Sequence, residues 1–249
     1  MKVAVITPYF NAHEEWLLKC HESVISQTHP CTHFMIADGR PQDIVDSWNV
    51  QHIKLPVNHA DYGDTPRGVG SVMAIAQRFD AIAYLDADNW YYPDHIASLI
   101  KLHRQTGAGV VSSTRNLYRL DGTLLGKCFE VDGERFVDNN CYFITQPAFH
   151  IVSVWWMMEL LYTGPNGKGP GKQIHSIDDR VFWAQVIRLK LSRAHSGRAT
   201  VAYRTAFMNH YRHFGEEPPA GTKSGHDILT TMESIKKESQ QIRQKKKSD

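Results

Sequence analysis

This sequence predicts an α/β fold with a mostly parallel sheet flanked by helices. Up to about residue 115, short apolar runs alternate with amphipathic stretches of helical period, which is the pattern of βαβ units. Several of these apolar runs end in a polar turn, as at Asp38 and Asp86. The 249 residues are 42% hydrophobic and 22% charged, a composition typical of a folded globular domain.

The first βαβ unit is predicted over residues 3–37. Residues 3–7 form an apolar strand, and residues 13–26 carry apolar side chains near helical spacing. A second apolar strand over residues 33–37 ends at the Asp38-Gly39 turn. The elements that follow are a weaker strand over 52–57, a helix with Val72, Ile75, Ala76 and Phe79 on one face, a buried strand over 81–85, a helix from Pro93 that Gly107 stops, and a strand beginning at Val110.

The second half departs from this pattern. Asp121-Gly122 is typical of a hairpin turn, residues 164–172 have the composition of a loop, and Asp178-Asp179 open a helix. From residue 220 the chain is polar and rich in lysine. We therefore expect one domain over residues 1–219, with halves at 1–114 and 115–219, and a lysine-rich tail over 220–249.

Net charge and cysteine spacing exclude several classes of partner. The net charge of +2, from 28 basic and 26 acidic residues, gives no overall field toward nucleic acid, so no nucleic-acid partner is expected. The four cysteines lack metal-ligand spacing, and we expect free buried thiols, a reducing compartment and a cytoplasmic protein.

The apolar stretch at 151–162 contains Glu159 and is shorter than the roughly 18 residues of a spanning helix. A peripheral contact of the basic tail with anionic lipid stays the alternative to a solvated helix end.

Two aspartates separated by one residue follow the strand over 81–85. In an open α/β sheet, ligands bind beyond the carboxyl ends of the strands. Asp86 and Asp88 could therefore hold a divalent cation on a diphosphate, since hard cations prefer carboxylate oxygens. The alternative is a surface turn in which Asp88 caps the next helix. A phosphate-binding P-loop at 164–172 is excluded, because Pro170 and Gln173 break its pattern.

Five motifs in order resemble family 2 glycosyltransferases of the GT-A fold, over nearly all of the chain before the lysine-rich tail. They are Val5-Ile6-Thr7-Pro8-Tyr9-Phe10-Asn11, with Phe10 in place of the usual tyrosine; Glu22-Ser23-Val24-Ile25-Ser26-Gln27-Thr28; Met35-Ile36-Ala37-Asp38-Gly39, with Ala37 in place of an aspartate; Asp86-Ala87-Asp88-Asn89-Trp90-Tyr91-Tyr92-Pro93-Asp94; and Ser176-Ile177-Asp178-Asp179-Arg180. The resemblance implies a Rossmann-like half that binds the nucleotide and a mixed half that completes the acceptor site.

The resemblance implies a donor site for a nucleoside-diphosphate sugar, with a UDP-sugar expected. Asp38 would accept a hydrogen bond from the base, at uracil N3–H, and Thr7, Pro8 and Tyr9 would line that pocket. Arg67 would reach the base or the diphosphate. The alternatives are an Asx turn for Asp38 and a solvated loop position for Arg67.

The resemblance also implies Mn²⁺ or Mg²⁺ on the diphosphate, held by Asp86 and more directly by Asp88, with Ala87 between them in the donor site. His210 stands where some enzymes of this fold have a histidine that binds the metal or the diphosphate, and His213 is a weaker candidate. With 14 histidines in the chain, a chance match is the alternative.

The later acidic pair supplies the candidate general base. The reaction of this family displaces a nucleoside diphosphate in line from the anomeric carbon, so some group has to take the proton of the acceptor hydroxyl. A carboxylate opposite the leaving group can do so. The motif favours Asp179 as this base, whereas counting back from Trp183 favours Asp178. In the alternative interpretation, both aspartates only complement the dipole of their helix.

These expectations amount to metal-dependent, inverting transfer of a sugar from a nucleoside-diphosphate sugar to a carbohydrate or other hydroxyl acceptor. A catalytically silent sugar-nucleotide-binding module is the first alternative, because Ala37 and the ambiguous acidic pair depart from the motifs. A phosphatase with a DxD motif is the second, although Tyr91 and Tyr92 follow the motif here and the motif lies far from the N-terminus.

Overall fold

The computed structural model describes residues 1–162 and 171–224. The predicted loop at 164–172 lies outside the described residues except at its last two positions, and so does the lysine-rich tail from residue 225 onward. No helix within the described part of the chain is long and apolar enough to span a membrane.

The N-terminal half forms the parallel side of the sheet, as predicted. Its elements are β1 (Val3–Tyr9), α1 (Glu14–Ile25), β2 (Cys31–Asp38), β3 (Gln51–Leu55), α2 (Asp64–Ala76) and β4 (Ala81–Tyr84), with a 3-10 helix at Asp43–Ser47. β1 pairs in parallel with β2, where Val5 is in register with His33, and with β4, where Val5 is in register with Ala83. β2 pairs in parallel with β3.

The rest of the described chain adds five further strands and four further helices. Its elements are β5 (Trp90–Tyr91), α3 (His95–Thr106), β6 (Val110–Tyr118), β7 (Leu124–Lys127), β8 (Tyr142–Thr145), α4 (Val154–Tyr162), α5 (Asp178–Arg188), β9 (Arg193–Arg204) and α6 (Met208–His213). Three further 3-10 helices lie at Asn139–Cys141, Gln146–Ser153 and Gly171–Ile177 among the described residues. The hairpin predicted at Asp121-Gly122 joins β6 to β7.

The strand order combines a parallel and a mixed half in one sheet. The described residues form nine strands in the order β3-β2-β1-β4-β8-β6-β9-β5, with β7 paired to β6. β8 runs antiparallel to both β4 and β6, and β5 antiparallel to β9, whereas β6 and β9 are parallel. This order confirms the predicted fold class. Position 114, the expected boundary between the halves, falls inside β6.

Helix α2 begins earlier than the spacing of its apolar residues indicates. It starts at Asp64, after Gly63 in a left-handed conformation with a φ of +90°. Arg67 is therefore a helical residue, and it is only 3% exposed. The alternative of a solvated loop arginine at this position is wrong, because the side chain is buried under the cleft described below.

Close packing of α2 on the sheet depends on Gly70. A Cβ at this position would lie 2.7 Å from Ile6 Cγ2 and 2.9 Å from Ile36 Cδ1, so a larger residue would displace the buried side chains of β1 and β2. Both isoleucines are fully buried. The bare backbone of Gly70 thus lets α2 lie close to the strands that end at the cleft.

Helices α2, α4 and α5 share a buried aromatic cluster with β4. Trp155 stacks on Phe182 with ring centroids 4.4 Å apart, and its Nε1 donates to the Tyr84 hydroxyl at 3.0 Å. The same hydroxyl is 2.8 Å from Ser71 Oγ. Trp155 is therefore a core residue, whereas its neighbour Trp156 is 48% exposed.

The four cysteines are free, as predicted. Cys20, Cys128 and Cys141 are buried, and Cys31 is partly exposed. Burial raises the pKa of the Cys20 and Cys31 thiols to about 12, so the neutral thiol is favoured near pH 7.

Candidate active site

A large cleft opens at the carboxyl ends of β1, β2 and β4. It has a volume of about 1100 Å³, and Tyr9, Asp38 and the turn that carries Asp86 and Asp88 line it on this side. The start of α5 and part of α6 form further walls. Since ligands bind beyond the carboxyl ends of strands in open α/β sheets, this cleft is the candidate active site.

Asp86 is held in place by two side chains. Its Oδ1 accepts a hydrogen bond from Arg67 Nη2 at 2.6 Å, and its Oδ2 accepts one from Asn140 Nδ2 at 2.8 Å. Asn140 Oδ1 in turn accepts from the Asp86 backbone N–H at 2.6 Å. Both carboxylate oxygens and the backbone of Asp86 are therefore fixed before any ligand binds.

Asp88 has no such anchor. Its side chain is partly exposed in the cleft, and no described side chain donates a hydrogen bond to its carboxylate. Burial and the neighbouring Asp86 charge raise the pKa of Asp88 to about 7, while the Arg204 charge opposes this rise. Ala87, between the two aspartates, also lines the cleft. The alternative in which Asp88 caps the next helix is wrong, because Asp94 occupies the N-cap position of α3.

Arg67 connects the two acidic motifs. Besides Asp86, its guanidinium donates to Asp178 Oδ2 at 2.9 Å, to the Tyr62 carbonyl at 3.1 Å and to Asp64 Oδ1 at 3.4 Å. Burial alone would lower the pKa of Arg67, but the three carboxylates outweigh it and raise that pKa. Arg67, which is predicted to contact the donor directly, thus already binds acidic side chains of this chain.

Asp64 and His175 extend this network to the segment before α5. Asp64 is fully buried, and its Oδ2 lies 2.5 Å from His175 Nδ1. His175 belongs to the 3-10 helix Gly171–Ile177, which leads directly into Asp178. Burial, followed by the Asp178 charge, raises the pKa of Asp64 well above its ordinary value.

The two aspartates at the start of α5 differ in their partners. Asp178 Oδ2 accepts from Arg67 and from Asn139 Nδ2 at 2.8 Å, and its Oδ1 accepts from the Asp179 backbone N–H at 2.7 Å. Asp179 Oδ1 accepts from the Arg180 backbone N–H at 2.7 Å, and no described side chain donates to it. Burial raises the pKa of Asp178 against the Arg67 charge, and burial together with Asp178 raises the pKa of Asp179 well above its ordinary value.

Asp38 is 4% exposed and lines the cleft at the end of β2. Its carboxylate accepts from Asn58 Nδ2 at 3.1 Å and from the His59 backbone N–H at 3.1 Å, and it lies 2.6 Å from His59 Nδ1. Residues of the loop after β3 therefore already form hydrogen bonds with the carboxylate that is expected to bind a nucleotide base.

The first-strand residues divide between the cleft and the core. Pro8 and Tyr9 line the cleft, although the Tyr9 hydroxyl turns away to His52 Nε2 at 2.6 Å. Thr7 is fully buried and its hydroxyl lies 2.8 Å from His33 Nε2. The structure therefore does not bring the Thr7 side chain into the cleft, because this side chain is buried against His33 inside the protein.

Of the two late histidines, only His210 lines the cleft. Its Nδ1 lies 2.5 Å from Thr205 Oγ1 and its Nε2 lies 3.0 Å from Glu130 Oε2. His213 is exposed and stacks on Phe129 at 3.7 Å between ring centroids. Among the residues that the structure describes, no group of three or more histidine, cysteine, aspartate or glutamate side chains is arranged to hold a metal ion by itself.

A polar network behind the cleft was not predicted. Arg115 forms a buried ion pair with Asp138, and Asp138 Oδ1 accepts from Asn140 Nδ2 at 2.8 Å. Asn140 also holds Asp86, so this network supports the Asp86 turn from behind. The run Asp138-Asn139-Asn140, placed one residue before the apolar strand β8, was the available signal, because consecutive polar side chains need hydrogen-bond partners where they are buried.

Comparison with known proteins identifies a family and a set of similar structures. The family model "Glycosyl transferase family 2" matches residues 4–152. No curated protein matches the chain in a sequence comparison.

Crystal structures of S. aureus TarS are among the solved structures that this chain resembles. TarS 1-349 in complex with UDP has a TM-score of 0.60 at 14% identity, covering 96% of this chain and 65% of that chain. A structure of S. aureus TarS has a TM-score of 0.61 at 13% identity, covering 94% and 39%. TarS 1-349 in complex with UDP-GlcNAc has a TM-score of 0.55 at 12% identity, covering 96% and 66%. The chain thus spans two thirds or less of the chains that it resembles, and at this identity the likeness shows the fold alone.

Proposed function

The chain belongs to glycosyl transferase family 2, and from this premise we propose that it transfers a sugar from a nucleoside-diphosphate sugar to an acceptor hydroxyl, with inversion at the anomeric carbon. A UDP-sugar is the proposed donor, and a carbohydrate or another hydroxyl compound is the proposed acceptor.

One observation carries this proposal. Arg67 lies 2.6 Å from Asp86 and 2.9 Å from Asp178, so the turn after β4 and the start of α5 face the same cleft. Inverting transfer needs a group that stabilises the departing diphosphate and a base that deprotonates the acceptor, at two separate positions in one cleft. The two acidic motifs supply candidates for both.

The nucleotide base is proposed to bind near Asp38, Pro8 and Tyr9, at the ends of β1 and β2. The choice of uridine is supported by Asp38, whose carboxylate can accept from an N–H donor, and by the fold shared with TarS, whose structures hold UDP and UDP-GlcNAc. Since Asn58 and His59 already bond to Asp38, binding of a base requires the loop after β3 to adjust.

A divalent cation, Mn²⁺ or Mg²⁺, is the proposed cofactor. Eight acidic and five basic side chains line the cleft, and no described side chain donates a hydrogen bond to the carboxylate of Asp88. Such cations are commonly bound by one or two carboxylates together with substrate phosphates and water, and the residues present fit that pattern. Asp88, with Asp86 behind it, would hold the ion, which neutralises charge on the leaving diphosphate; His210 could join only by giving up Glu130.

Asp179 is the proposed general base. Its raised pKa makes its carboxylate a stronger proton acceptor than an ordinary aspartate, and its side chain is not tied to a cation. Asp178 is less suited, because Arg67 and Asn139 already occupy its Oδ2. Asp178 instead keeps Arg67 and the start of α5 in place.

The cleft has room for two reactants. Its volume of about 1100 Å³ exceeds the range of about 300–1,000 Å³ that is usual for a single small-molecule ligand. A nucleotide sugar bound at the strand ends would therefore leave space beside α5 and α6 for the acceptor.

A binding panel followed by a transfer assay tests the proposal. UDP with Mn²⁺ should raise the melting temperature more than ADP with Mn²⁺ or UDP with EDTA, and ligand at about 100 times its dissociation constant adds roughly 2.7 kcal/mol. Equal shifts for every nucleotide, without a metal effect, would contradict the donor assignment. Binding of UDP-sugars without transfer or hydrolysis would support the alternative of a catalytically silent module.

A further inference from the structure

Arg204, the last residue of β9, lies against the turn that carries Asp88. Its backbone N–H donates to Asn89 Oδ1 at 2.8 Å, and its Nη1 donates to the Asp88 carbonyl at 2.8 Å. The side chain lines the cleft and is 8% exposed. Arg204 thus belongs to the Asp88 side of the cleft, although 116 residues separate the two positions in sequence.

Two tryptophans fix the guanidinium of Arg204. Its central carbon lies 4.8 Å from the ring centroid of Trp16 and 5.0 Å from that of Trp90. Such cation–π contacts restrict the plane of the guanidinium group and hold it without neutralising its charge. Arg204 is therefore a preorganised cation at the wall of the cleft.

The hydrogen-bonding capacity of Arg204 is mostly unused. Arg67 and Arg115, which also line the cleft, each bind carboxylates, whereas no described carboxylate forms an ion pair with Arg204. Of its five N–H donors, the side chain uses one on Nη1, and Nε is buried without a partner. The guanidinium group of an arginine is charged near pH 7. A buried charged group with spare donors is costly to maintain unless a ligand engages it.

From this geometry we infer that Arg204 binds the diphosphate of the donor, an inference that rests on the function proposed above. The planar fork of a guanidinium matches two phosphate oxygens, and the bond to the Asp88 carbonyl places the fork where the diphosphate would meet the cation site.

The same position gives Arg204 a part in the transfer step. A bond forms between the acceptor oxygen and the anomeric carbon while the bond from that carbon to the diphosphate oxygen breaks. The electron pair of the broken bond goes to the departing diphosphate, and the acceptor proton goes to Asp179. Arg204 would stabilise the charge that develops on the diphosphate, because its N–H donors are fixed in advance.

The test compares UDP and uridine, both titrated calorimetrically in the presence of Mn²⁺ against wild-type protein, Arg204→Met and Arg204→Lys. Arg204→Met should lower the affinity for UDP by about tenfold to a hundredfold, the usual loss for a charge-assisted hydrogen bond, and leave the affinity for uridine unchanged. Arg204→Lys keeps the charge but not the fork, so its loss should be intermediate, and it serves as the readout if Arg204→Met fails to fold.

Arg198→Met is the matched control, because Arg198 lies on the same strand but pairs with Asp94 at the surface. It should bind UDP like the wild type. Equal losses of UDP and uridine affinity in Arg204→Met would mean that Arg204 only supports the Asp88 turn, and an unchanged UDP affinity would mean that it does not meet the diphosphate. Wild-type protein that binds neither compound would overturn the proposed function itself.

Discussion

The turn that carries Asp86 and Asp88 and the helix start that carries Asp178 and Asp179 are built on one plan. In each pair, the first aspartate is bonded to Arg67, and the second receives no hydrogen bond from a described side chain. The two pairs differ in how the second aspartate is held. The Asp88 carbonyl accepts from the Arg204 guanidinium, whereas the Asp179 carboxylate accepts from the Arg180 backbone N–H. In both pairs, burial and the charge of the first aspartate raise the pKa of the second against nearby arginine charges.

The first and the second aspartate of each pair therefore differ in the role for which they are suited. A carboxylate that is bonded to a buried guanidinium is held in position, so it is poorly suited to give up that partner for a ligand. A carboxylate that receives no hydrogen bond from a side chain is held less tightly and is free to bind a ligand. We therefore assign structural roles to Asp86 and Asp178, and we assign ligand-binding and proton-accepting roles to Asp88 and Asp179.

The largest effect is expected for Asp179→Asn. Removal of a general base typically costs about 10² to 10⁴ in rate, so transfer should nearly vanish while UDP affinity and its Mn²⁺ dependence stay unchanged. Steady-state transfer kinetics together with UDP titration measure both quantities. Asp178→Asn is the matched comparison and should retain more activity; the reverse ranking would exchange the roles of the two aspartates.

Arg67→Met should remove the guanidinium group to which the first aspartate of each pair is bonded. Asp64, Asp86 and Asp178 would lose their common cation, and removing one partner of a buried ion pair costs about 3–5 kcal/mol in the free energy of unfolding. Urea denaturation measures this loss, which should shrink at low pH because protonated carboxyl groups need no cation.

The control for this variant is Arg198→Met, which removes an exposed pair and should cost about 0–1 kcal/mol. If Arg67→Met were as mild as this control, the anchoring role of Arg67 would be wrong.

Asp88→Asn and Asp86→Asn should separate the two members of the first pair. Asp88→Asn should remove the Mn²⁺-dependent part of the UDP stabilisation, part of a total of roughly 2.7 kcal/mol at 100 times the dissociation constant, and leave the unliganded melting temperature nearly unchanged. Asp86→Asn should lower both, since Arg67 and Asn140 bond to it. Melting curves with and without UDP and Mn²⁺ test this; unfolding of unliganded Asp88→Asn would make Asp88 a structural residue.

The smallest effect is a pH dependence of UDP binding with Mn²⁺. The pKa of Asp88 without a ligand is about 7, so its carboxylate gains a proton as the pH falls through this value and then competes with the cation. Affinity should be constant above that pH and fall by about tenfold for each pH unit below it. Calorimetric titration at several pH values measures the slope, and Asp88→Asn should abolish it. A wild-type affinity that rises toward low pH would contradict the assignment.

The parallel half of the fold could be predicted because its signals are local. The strand at Val3–Tyr9 and the helix at His95–Thr106 follow from apolar runs and helical spacing between turn residues. Strand β9 was missed, since its first half, Arg193–Arg198, is polar and lacks an alternating pattern. Its last residues are buried only because β6 and β5 pair with them, which no local pattern records.

The candidate site divides in the same way. Asp86, Asp88, Asp178 and Asp179 were found because each pair stands in a short motif. The partners of these residues were not found, because Arg67 lies 111 positions before Asp178 and Asn140 lies 54 positions after Asp86. Sequence spacing gives no information about contacts of that length. The burial of Arg67 in particular depends on how closely α2 lies against the sheet.

That closeness rests on the missing side chain of Gly70. Alanine would favour the helix itself by roughly 0.5–1 kcal/mol, yet its methyl group would press on Ile6 and Ile36 and push the helix outward. Because a helix moves as a stiff rod, an outward shift at Gly70 would also carry Arg67, less than one turn away, off Asp86 and Asp178. The added methyl group is apolar and does not contact the cleft, yet it would weaken the hydrogen bonds of Arg67 to both acidic pairs. The charge interactions of the site thus depend on how closely helix α2 packs against the sheet.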